Sequence, residues 1–160
     1  MKVLALDQAS ITTGFAIFEN GKLVDYGKFT FEDSDIAVRL VKIRNKVIDL
    51  IDKNNIDKVV FEEIQLQNNV VNNVKTFKVL AEVFGVVYEL LSERKIKNTA
   101  VLPIKWKAHF KIAGKGRAQE KKMAQSYVMN NYNIACTEDE ADSLCIALYH
   151  YDNSNVFDWS

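Results

Sequence analysis

The order of strand-like and helix-like segments predicts an α/β fold, with a mixed five-stranded β-sheet flanked by helices. The first third of the chain reads as a three-stranded meander, with the pair Asn20-Gly21 as a tight hairpin turn. Helical segments then alternate with short apolar segments, which is typical of parallel strands joined by helices. The 160 residues contain no repeat or linker, so one domain spanning residues 1–160 is expected.

The meander consists of predicted strands at residues 2–7, 13–19 and 22–31, with a type I′ turn between the last two. Ser34 or Asp35 is placed to cap the helix that follows. Apolar residues in this helix recur at intervals of four and three, so that one face turns toward the sheet. This face contains Ile36, Leu40, Ile43, Val47 and Leu50.

The remaining elements alternate between helix and strand. Residues 56–61 are expected to form a short strand, and their apolar run Val59-Val60-Phe61 is typical of the middle of a sheet. Residues 70–91 form a helix with apolar residues on two sides, which indicates deep burial or a second partner. A fifth strand at residues 99–102 is stopped by Pro103, and a Gly114-Lys115-Gly116 loop precedes helices near 118–129 and 139–151. The order β-β-β-α-β-α-β-α-α predicts three antiparallel strands followed by two parallel ones.

Composition excludes some classes of protein and favours others. No apolar run approaches the roughly 20 residues that a membrane span needs, and no signal peptide is evident. Cys136 and Cys145 have neither metal-ligand spacing nor a disulfide framework, which is consistent with a reducing cytoplasm. The net charge of zero hides an asymmetry, because residues 94–122 hold ten Lys or Arg and one acid, Glu120. Such a segment suits a protein that grips a polyanion, although a solvated basic face is the simpler reading.

Four carboxylates stand at the ends of apolar elements. Asp7 ends the first strand, Glu62 ends the fourth, and Asp139 and Asp142 share one face of the last helix. If the first and fourth strands are parallel neighbours, all four side chains meet at the carboxyl edge of the sheet. Clustered carboxylates repel one another unless a proton or a hard cation intervenes. The set therefore predicts a site for two divalent ions, of the kind that hydrolyses phosphodiesters.

Each carboxylate also has a simpler explanation. Asp7 alone is compatible with a solvated strand end, and Asp139 alone with a helix N-cap. Glu63 competes with Glu62, and Glu62 is preferred because only one of two consecutive strand residues faces the cleft. The convergence of all four residues in this order favours the metal site over these explanations.

The residues described so far resemble the RuvC family of Holliday-junction resolvases, within the RNase H-like superfamily. The resemblance rests on Leu4-Ala-Leu-Asp7, on Thr13-Gly14-Phe15-Ala16, on Val60-Phe-Glu62 and on the run from Asp139-Glu-Ala-Asp142 to His150. The last is the most specific, with Ser143 and Cys145 as mild departures from the family's helix. The small size is also typical of the cellular and phage members.

The resemblance implies a function and a set of site residues. Asp7, Glu62, Asp139 and Asp142 would hold two Mg2+ ions, with Mn2+ able to substitute, and a homodimer would nick two opposed strands of a four-way DNA junction. Six residues would contact DNA: Lys105, Lys107, Lys115, Arg117, Lys121 and Gln65. Sequence-selective members have an aromatic residue where this chain has Gln65, so strict sequence preference is not expected. The wide helix at residues 70–91 is expected to form the dimer contact, and the cytoplasm of a bacterial or phage-infected cell is the expected location.

Three rival functions fit parts of the sequence. The first is an RNase H-like binding module that no longer cleaves, which the retained carboxylates argue against. The second is one lobe of an actin-like or sugar-kinase ATPase, for which 160 residues supply half of the required fold. The third is a RuvC-like nuclease that acts on structured RNA. Trp106, between two lysines, is open to two readings: stacking on a base, or filling the core.

Overall fold

The computed structural model describes residues 1–65 and 70–154 and contains one five-stranded sheet in this part of the chain. Its strands are β1 (Lys2–Asp7), β2 (Thr12–Glu19), β3 (Lys22–Thr30), β4 (Lys58–Glu62) and β5 (Lys97–Val101). They lie in the order β3-β2-β1-β4-β5. The pairs within β1–β3 are antiparallel, and β4 is parallel to both β1 and β5. The predicted mixed sheet is therefore confirmed.

The tight turn between β2 and β3 has the predicted geometry. Asn20 and Gly21 both have positive φ, at 51° and 79°, as a type I′ turn requires. A register shift between Ile17 and Phe18 marks an irregularity just before this turn. The turn lies at the opposite end of the strands from Asp7, because Lys2 pairs with Glu19 while Asp7 pairs with Gly14.

Five helices surround the sheet in the described residues: α1 (Ile36–Asn54), α2 (Val70–Glu93), α3 (Pro103–His109), α4 (Arg117–Tyr132) and α5 (Glu138–Ser154). Asp35 is the N-cap of α1, since its carboxylate accepts a 2.9 Å hydrogen bond from the backbone N–H of Ala37. Helix α3 was not predicted. Pro103 was expected only to stop the preceding strand, but it also occupies the first turn of a seven-residue helix, where its missing N–H costs nothing.

Two apolar cores lie on the two faces of the sheet. Alternate residues of β1 point to opposite faces, so Val3 and Ala5 join one core while Leu4 and Leu6 join the other. The first core is completed by α3, α4 and α5, and the second by α1 and α2. Helix α5 crosses β1 and β2 with eight consecutive buried residues, from Ala141 to Leu148. This burial fixes the helix that carries two of the predicted site residues.

None of the helices in residues 1–65 and 70–154 is long and apolar enough to span a membrane. The two cysteines, Cys136 and Cys145, are not joined in a disulfide. Cys145 lies on α5, and its side chain is buried in the first core.

Candidate functional site

The ends of β1 and β4 place Asp7 and Glu62 side by side. The two strands are parallel, and their register pairs Leu6 with Phe61, so the next residues along each strand are neighbours. Both residues mark a carboxyl end, and their side chains emerge at the same edge of the sheet, as predicted. Burial, and after it the charge of Asp7, raises the pKa of Glu62, consistent with this adjacency. The side chain of Glu63, by contrast, accepts a hydrogen bond from the backbone of Ile64.

Gln8 holds the backbone of Glu62 in place. Its side-chain amide donates to the carbonyl of Glu62 at 2.5 Å, and its carbonyl accepts from the N–H of Glu62 at 3.0 Å. This paired contact continues the β1–β4 ladder with a side chain in place of a backbone. Gln8 is buried, so the pairing is shielded from water. No sequence pattern indicates this role, because it depends on which strand lies beside β1.

The first turn of α5 lies directly against β2 beside Asp7. A Cβ atom on Gly14 would lie 2.0 Å from the backbone oxygen of Asp139, closer than real Cβ atoms come. Gly14 is also the β2 partner of Asp7. The missing side chain at this position therefore allows the helix to bring Asp139 and Asp142 up to the end of β1.

A capping box fixes the start of α5. Thr137 Oγ1 accepts from the N–H of Glu140 at 3.4 Å, and the Glu140 carboxylate accepts from the N–H of Thr137 at 2.7 Å. The simpler explanation of Asp139 as an N-cap is therefore wrong. Its carboxylate instead pairs with Lys121 Nζ at 3.4 Å.

Three carboxyls of the site, those of Asp7, Glu62 and Asp142, have raised pKa values. Burial raises the pKa of Asp7 to about 6, with Lys121 opposing the rise and Asp139 adding to it. Burial also raises the pKa of Glu62 to about 8, reinforced by Asp7. The same two effects raise the pKa of Asp142 to about 8, with the charges of Asp7 and Glu62 next after burial. Asp142 is 8% exposed. The negative charge of Asp7 therefore raises the cost of ionising Glu62 and Asp142, and positive charge placed among these carboxyls would lower that cost.

The donor chemistry of this set fits hard divalent cations. All four ligands predicted from the sequence are carboxylates, and their mutual repulsion is what Mg2+ or Mn2+ would neutralise. In the side-chain positions of residues 1–65 and 70–154, no three acidic, histidine or cysteine side chains are already arranged to hold one ion.

Trp106 connects helix α3 to this cluster. Its indole Nε1 donates to Oε2 of Glu62 at 3.0 Å, and the ring is buried in the core with 1% exposure. The core reading of Trp106 is correct, and the stacking reading is wrong because a buried ring offers no face to a base. The hydrogen bond to Glu62 was not predicted.

Basic side chains approach the carboxylates from α3 and α4. The positive charges of Lys107 and Lys121 partly offset the rise in the pKa values of Asp7, Glu62 and Asp142, so both lysines lie within electrostatic reach of the cluster. Arg117, the first residue of α4, also lowers the pKa of Asp7. Exposed positions further out carry Lys105 and Lys115. Of the predicted DNA-contact residues, Lys107, Lys121 and Arg117 therefore lie beside the carboxylates.

The basic segment is divided between two edges of the sheet. Lys97 begins β5 and pairs with Lys58, at the amino end of the parallel strands. Arg94 and Lys95 immediately precede it, and Arg94 pairs with Asp52 of α1. These three cations lie away from the carboxylates, so the basic segment does not form a single surface beside the site.

Glu120, the one acid in the basic segment, joins α4 to α3. One carboxylate oxygen accepts from Lys107 Nζ at 3.0 Å, and the other accepts from the N–H of Gly114 at 2.9 Å. Burial opposes ionisation of Glu120, but these bonds and one from the backbone of Lys115 outweigh it and lower its pKa. The Gly114–Gly116 loop is thereby held against α3.

Gln65 and His109 are both engaged within the chain. Gln65 is exposed, and its side-chain oxygen accepts from the N–H of Ile104 at 3.3 Å, at the start of α3. His109 pairs with Asp152 at 2.8 Å. Ile104 itself is 53% exposed beside Lys105.

A family model described as crossover junction endodeoxyribonuclease RuvC matches residues 3–150 of this chain. The chain belongs to the RuvC family. The match includes all four predicted carboxylates and the whole basic segment. It also includes Gly14, Gln8 and Trp106, whose contacts were found only in the structure.

Curated RuvC proteins match over almost the full length. The crossover junction endodeoxyribonuclease RuvC of Halothermothrix orenii is 26% identical over 157 residues, covering 94% of this chain and 92% of that protein. The protein of the same name from Caldanaerobacter subterraneus subsp. tengcongensis is 27% identical over 165 residues, covering 99% and 96%.

Solved resolvase structures share the fold. T. thermophilus RuvC in complex with Holliday junction substrate superposes with a TM-score of 0.73 at 19% identity, covering 98% of this chain and 96% of that one. Fowlpox virus resolvase in complex with Holliday junction DNA gives 0.59 at 16% identity, covering 98% and 100%. The predicted RNase H-like architecture of the RuvC family is therefore confirmed.

Proposed function

We propose that this chain is a divalent-metal-dependent endodeoxyribonuclease that nicks four-way DNA junctions and other branched DNA. The observation that carries the proposal is the gathering of buried carboxylates from β1, β4 and α5 at one sheet edge, flanked by cations. RuvC relatives named crossover junction endodeoxyribonucleases support the choice of substrate. A binding module with no cleavage chemistry has no need for buried acids that repel one another.

Asp7, Glu62, Asp139 and Asp142 would hold two Mg2+ ions, and Mn2+ would substitute because it takes the same oxygen ligands. The bound ions would supply Lewis-acid activation of water and of the phosphodiester. The carboxylates would bind the ions in their ionised form. The two hydrogen bonds between the Gln8 side chain and the Glu62 backbone hold Glu62 beside Asp7. Lys121, which pairs with Asp139, would add positive charge beside the substrate phosphate.

DNA would be held by the exposed cations around this cluster. Lys105, Lys115 and Arg117 are exposed, and each would pair with a backbone phosphate. Lys107 is tied to Glu120, so its main contribution is to the electrostatics of the carboxylates. The amide of Gln65 offers hydrogen bonding to a base but little stacking surface, which favours recognition of junction shape over sequence.

The working unit would be a homodimer formed through α2. Val83, Val87, Leu90 and Leu91 pack into the core, while Val74 and Tyr88 remain 58% and 54% exposed. This exposed apolar surface would be covered by a second copy. Of the expected contact row Val74, Phe77, Ala81 and Phe84, the last already packs on Phe61 with ring centres 5.1 Å apart. A twofold dimer matches the approximate twofold symmetry of a four-way junction and presents two sites for paired cuts.

We also propose that the protein acts in the cytoplasm of a bacterial or phage-infected cell, where its DNA substrate would be found.

The test is cleavage of a synthetic four-way junction, a linear duplex and a structured RNA, each with and without Mg2+. We expect Mg2+-dependent paired nicking of the junction. Asp7→Asn, Glu62→Gln, Asp139→Asn and Asp142→Asn should each reduce nicking by at least a hundredfold while retaining junction binding in a gel-shift assay.

Glu63→Gln is the matched control, because its carboxylate caps the neighbouring backbone and should matter less than Glu62. Nicking by Asp7→Asn at the wild-type rate would refute the site. Preferential cleavage of the RNA would assign the same chemistry to a different substrate.

A further inference from the structure

Trp106 makes a direct hydrogen bond to a catalytic-site carboxylate. The indole Nε1 lies 3.0 Å from Oε2 of Glu62, in a core where the ring is 1% exposed. Gln8 holds the backbone of the same residue through both its N–H and its carbonyl. Backbone and side chain of Glu62 are thus fixed by two different partners, one from the end of β1 and one from α3.

The chemistry of the indole makes this contact directional. An indole has one N–H donor and no acceptor, so it pairs only with an acceptor such as a carboxylate oxygen. A buried N–H without a partner and a buried carboxylate without a donor are both costly. Each group therefore satisfies the other, and the bond selects one of the two carboxylate oxygens.

The same bond is compatible with a bound cation, unlike the other contact in the cluster. Lys121 pairs with Asp139 through a positive charge, which a divalent ion would repel. The indole is neutral, so it can keep its bond to Oε2 while Oε1 of Glu62 faces a cation. Lys107 Nζ lies 5.5 Å from the centre of the Trp106 ring and, with the core, keeps the ring in place.

We propose that Trp106 is a positioning residue, whose N–H fixes the Glu62 carboxylate so that one oxygen is presented to the divalent ion. This inference rests on the proposed function and assigns a role to a residue that the carboxylate set does not include. Groups that orient a ligand from behind in this way typically change metal affinity by about 10- to 100-fold when removed.

The sharpest test replaces Trp106 alone with β-(3-benzothienyl)alanine, which keeps the bicyclic shape and has sulfur in place of the N–H. We expect the dissociation constant for Mn2+, measured by electron paramagnetic resonance without DNA, to rise about tenfold or more. The Mg2+ concentration for half-maximal junction nicking should rise by a similar factor, while the rate at saturating Mg2+ falls less.

Two controls separate positioning from packing. Phe110→Leu removes volume from the same core cluster without touching Glu62, and should lower the melting temperature with no change in Mn2+ affinity. In a Glu62→Ala background, which has no side-chain acceptor for the indole, the Trp106 replacement should weaken Mn2+ binding less than twofold further.

The outcomes are distinguishable. Unchanged Mn2+ affinity in the benzothienyl variant, with wild type binding Mn2+ normally, would overturn the role of Trp106 and leave the proposed function intact. A full tenfold effect that persists in the Glu62→Ala background would overturn it as well. Failure of wild type both to bind Mn2+ and to nick would overturn the proposed function and this inference together.

Discussion

Gly14→Ala tests whether the contact between β2 and α5 sets the geometry of the site. The added Cβ would lie 2.0 Å from the Asp139 oxygen and 2.7 Å from its carbonyl carbon. Real Cβ atoms essentially never come within 3.0 Å of such atoms, so strand and helix must separate by about 1 Å. Both partners are backbone in the interior of the fold, and neither can rotate away as a side chain could.

The separation has two consequences of different size. Overpacking of this kind costs about 1–3 kcal/mol, which corresponds to a fall of about 2–12 °C in melting temperature for a chain of this length. A displacement of about 1 Å at Asp139 and Asp142 should lower the nicking rate by about a hundredfold. Junction affinity should be nearly unchanged, because the exposed cations belong to α3, α4 and the loop between them.

Gly27→Ala is the matched control in the neighbouring strand. Its Cβ would also be crowded, but by the Phe15 ring at 3.0 Å, which can give by a few tenths of an ångström. Thermal melts, gel shifts and single-turnover nicking of a four-way junction would be measured for both variants. Gly14→Ala protein that melts and nicks like wild type would refute the reasoning, as would an equal loss of nicking in Gly27→Ala.

Three further results are expected. Because Asp7, Glu62 and Asp142 have raised pKa values in the folded state, the folded protein binds more protons than the unfolded chain between about pH 4 and 8. The free energy of unfolding of the metal-free protein, measured by urea titration at pH 5 and pH 8, should therefore fall as pH rises. In Asp142→Asn this fall should be smaller. A wild-type protein that becomes more stable between pH 5 and pH 8 would contradict the burial argument. Lys115→Ala should lower the slope of log affinity against log salt by about one unit and Lys107→Ala by less, since Glu120 already neutralises Lys107; equal slopes would place both on DNA. Ala81→Asp should give a folded monomer in sedimentation that loses paired cutting; a wild-type monomer with full paired cutting would end the dimer proposal.

Local patterns in the sequence were sufficient to predict most of the fold. The I′ turn follows from Asn20-Gly21, and the buried face of α1 follows from spacing alone, because both depend on residues close together in the chain. The prediction failed at α3, where seven residues carry no clear apolar period. Pro103 is equally typical after a strand and at the first turn of a helix, and its tertiary setting decides which role it has.

The site was predictable in its carboxylates and not in their supports. Asp7 and Glu62 stand at strand ends, and a parallel pairing of those strands is enough to bring them together. Gln8, Gly14 and Trp106 act through partners that are 54, 125 and 44 residues away in the chain. Their roles depend on atomic register across the sheet, which periodicity does not encode.

The contact between Glu120 and Lys107 affects how quickly the protein dissociates from its product. Each cation that pairs with a phosphate adds to residence time on nucleic acid, and nicked product retains nearly all the phosphates of the substrate. By engaging Lys107 internally, Glu120 subtracts one such cation from the face beside the site while keeping its charge close to the carboxylates. In this arrangement Lys107 still contributes positive charge near the carboxylates but adds little to DNA affinity. Product release is therefore faster than it would be if Lys107 also paired with a phosphate.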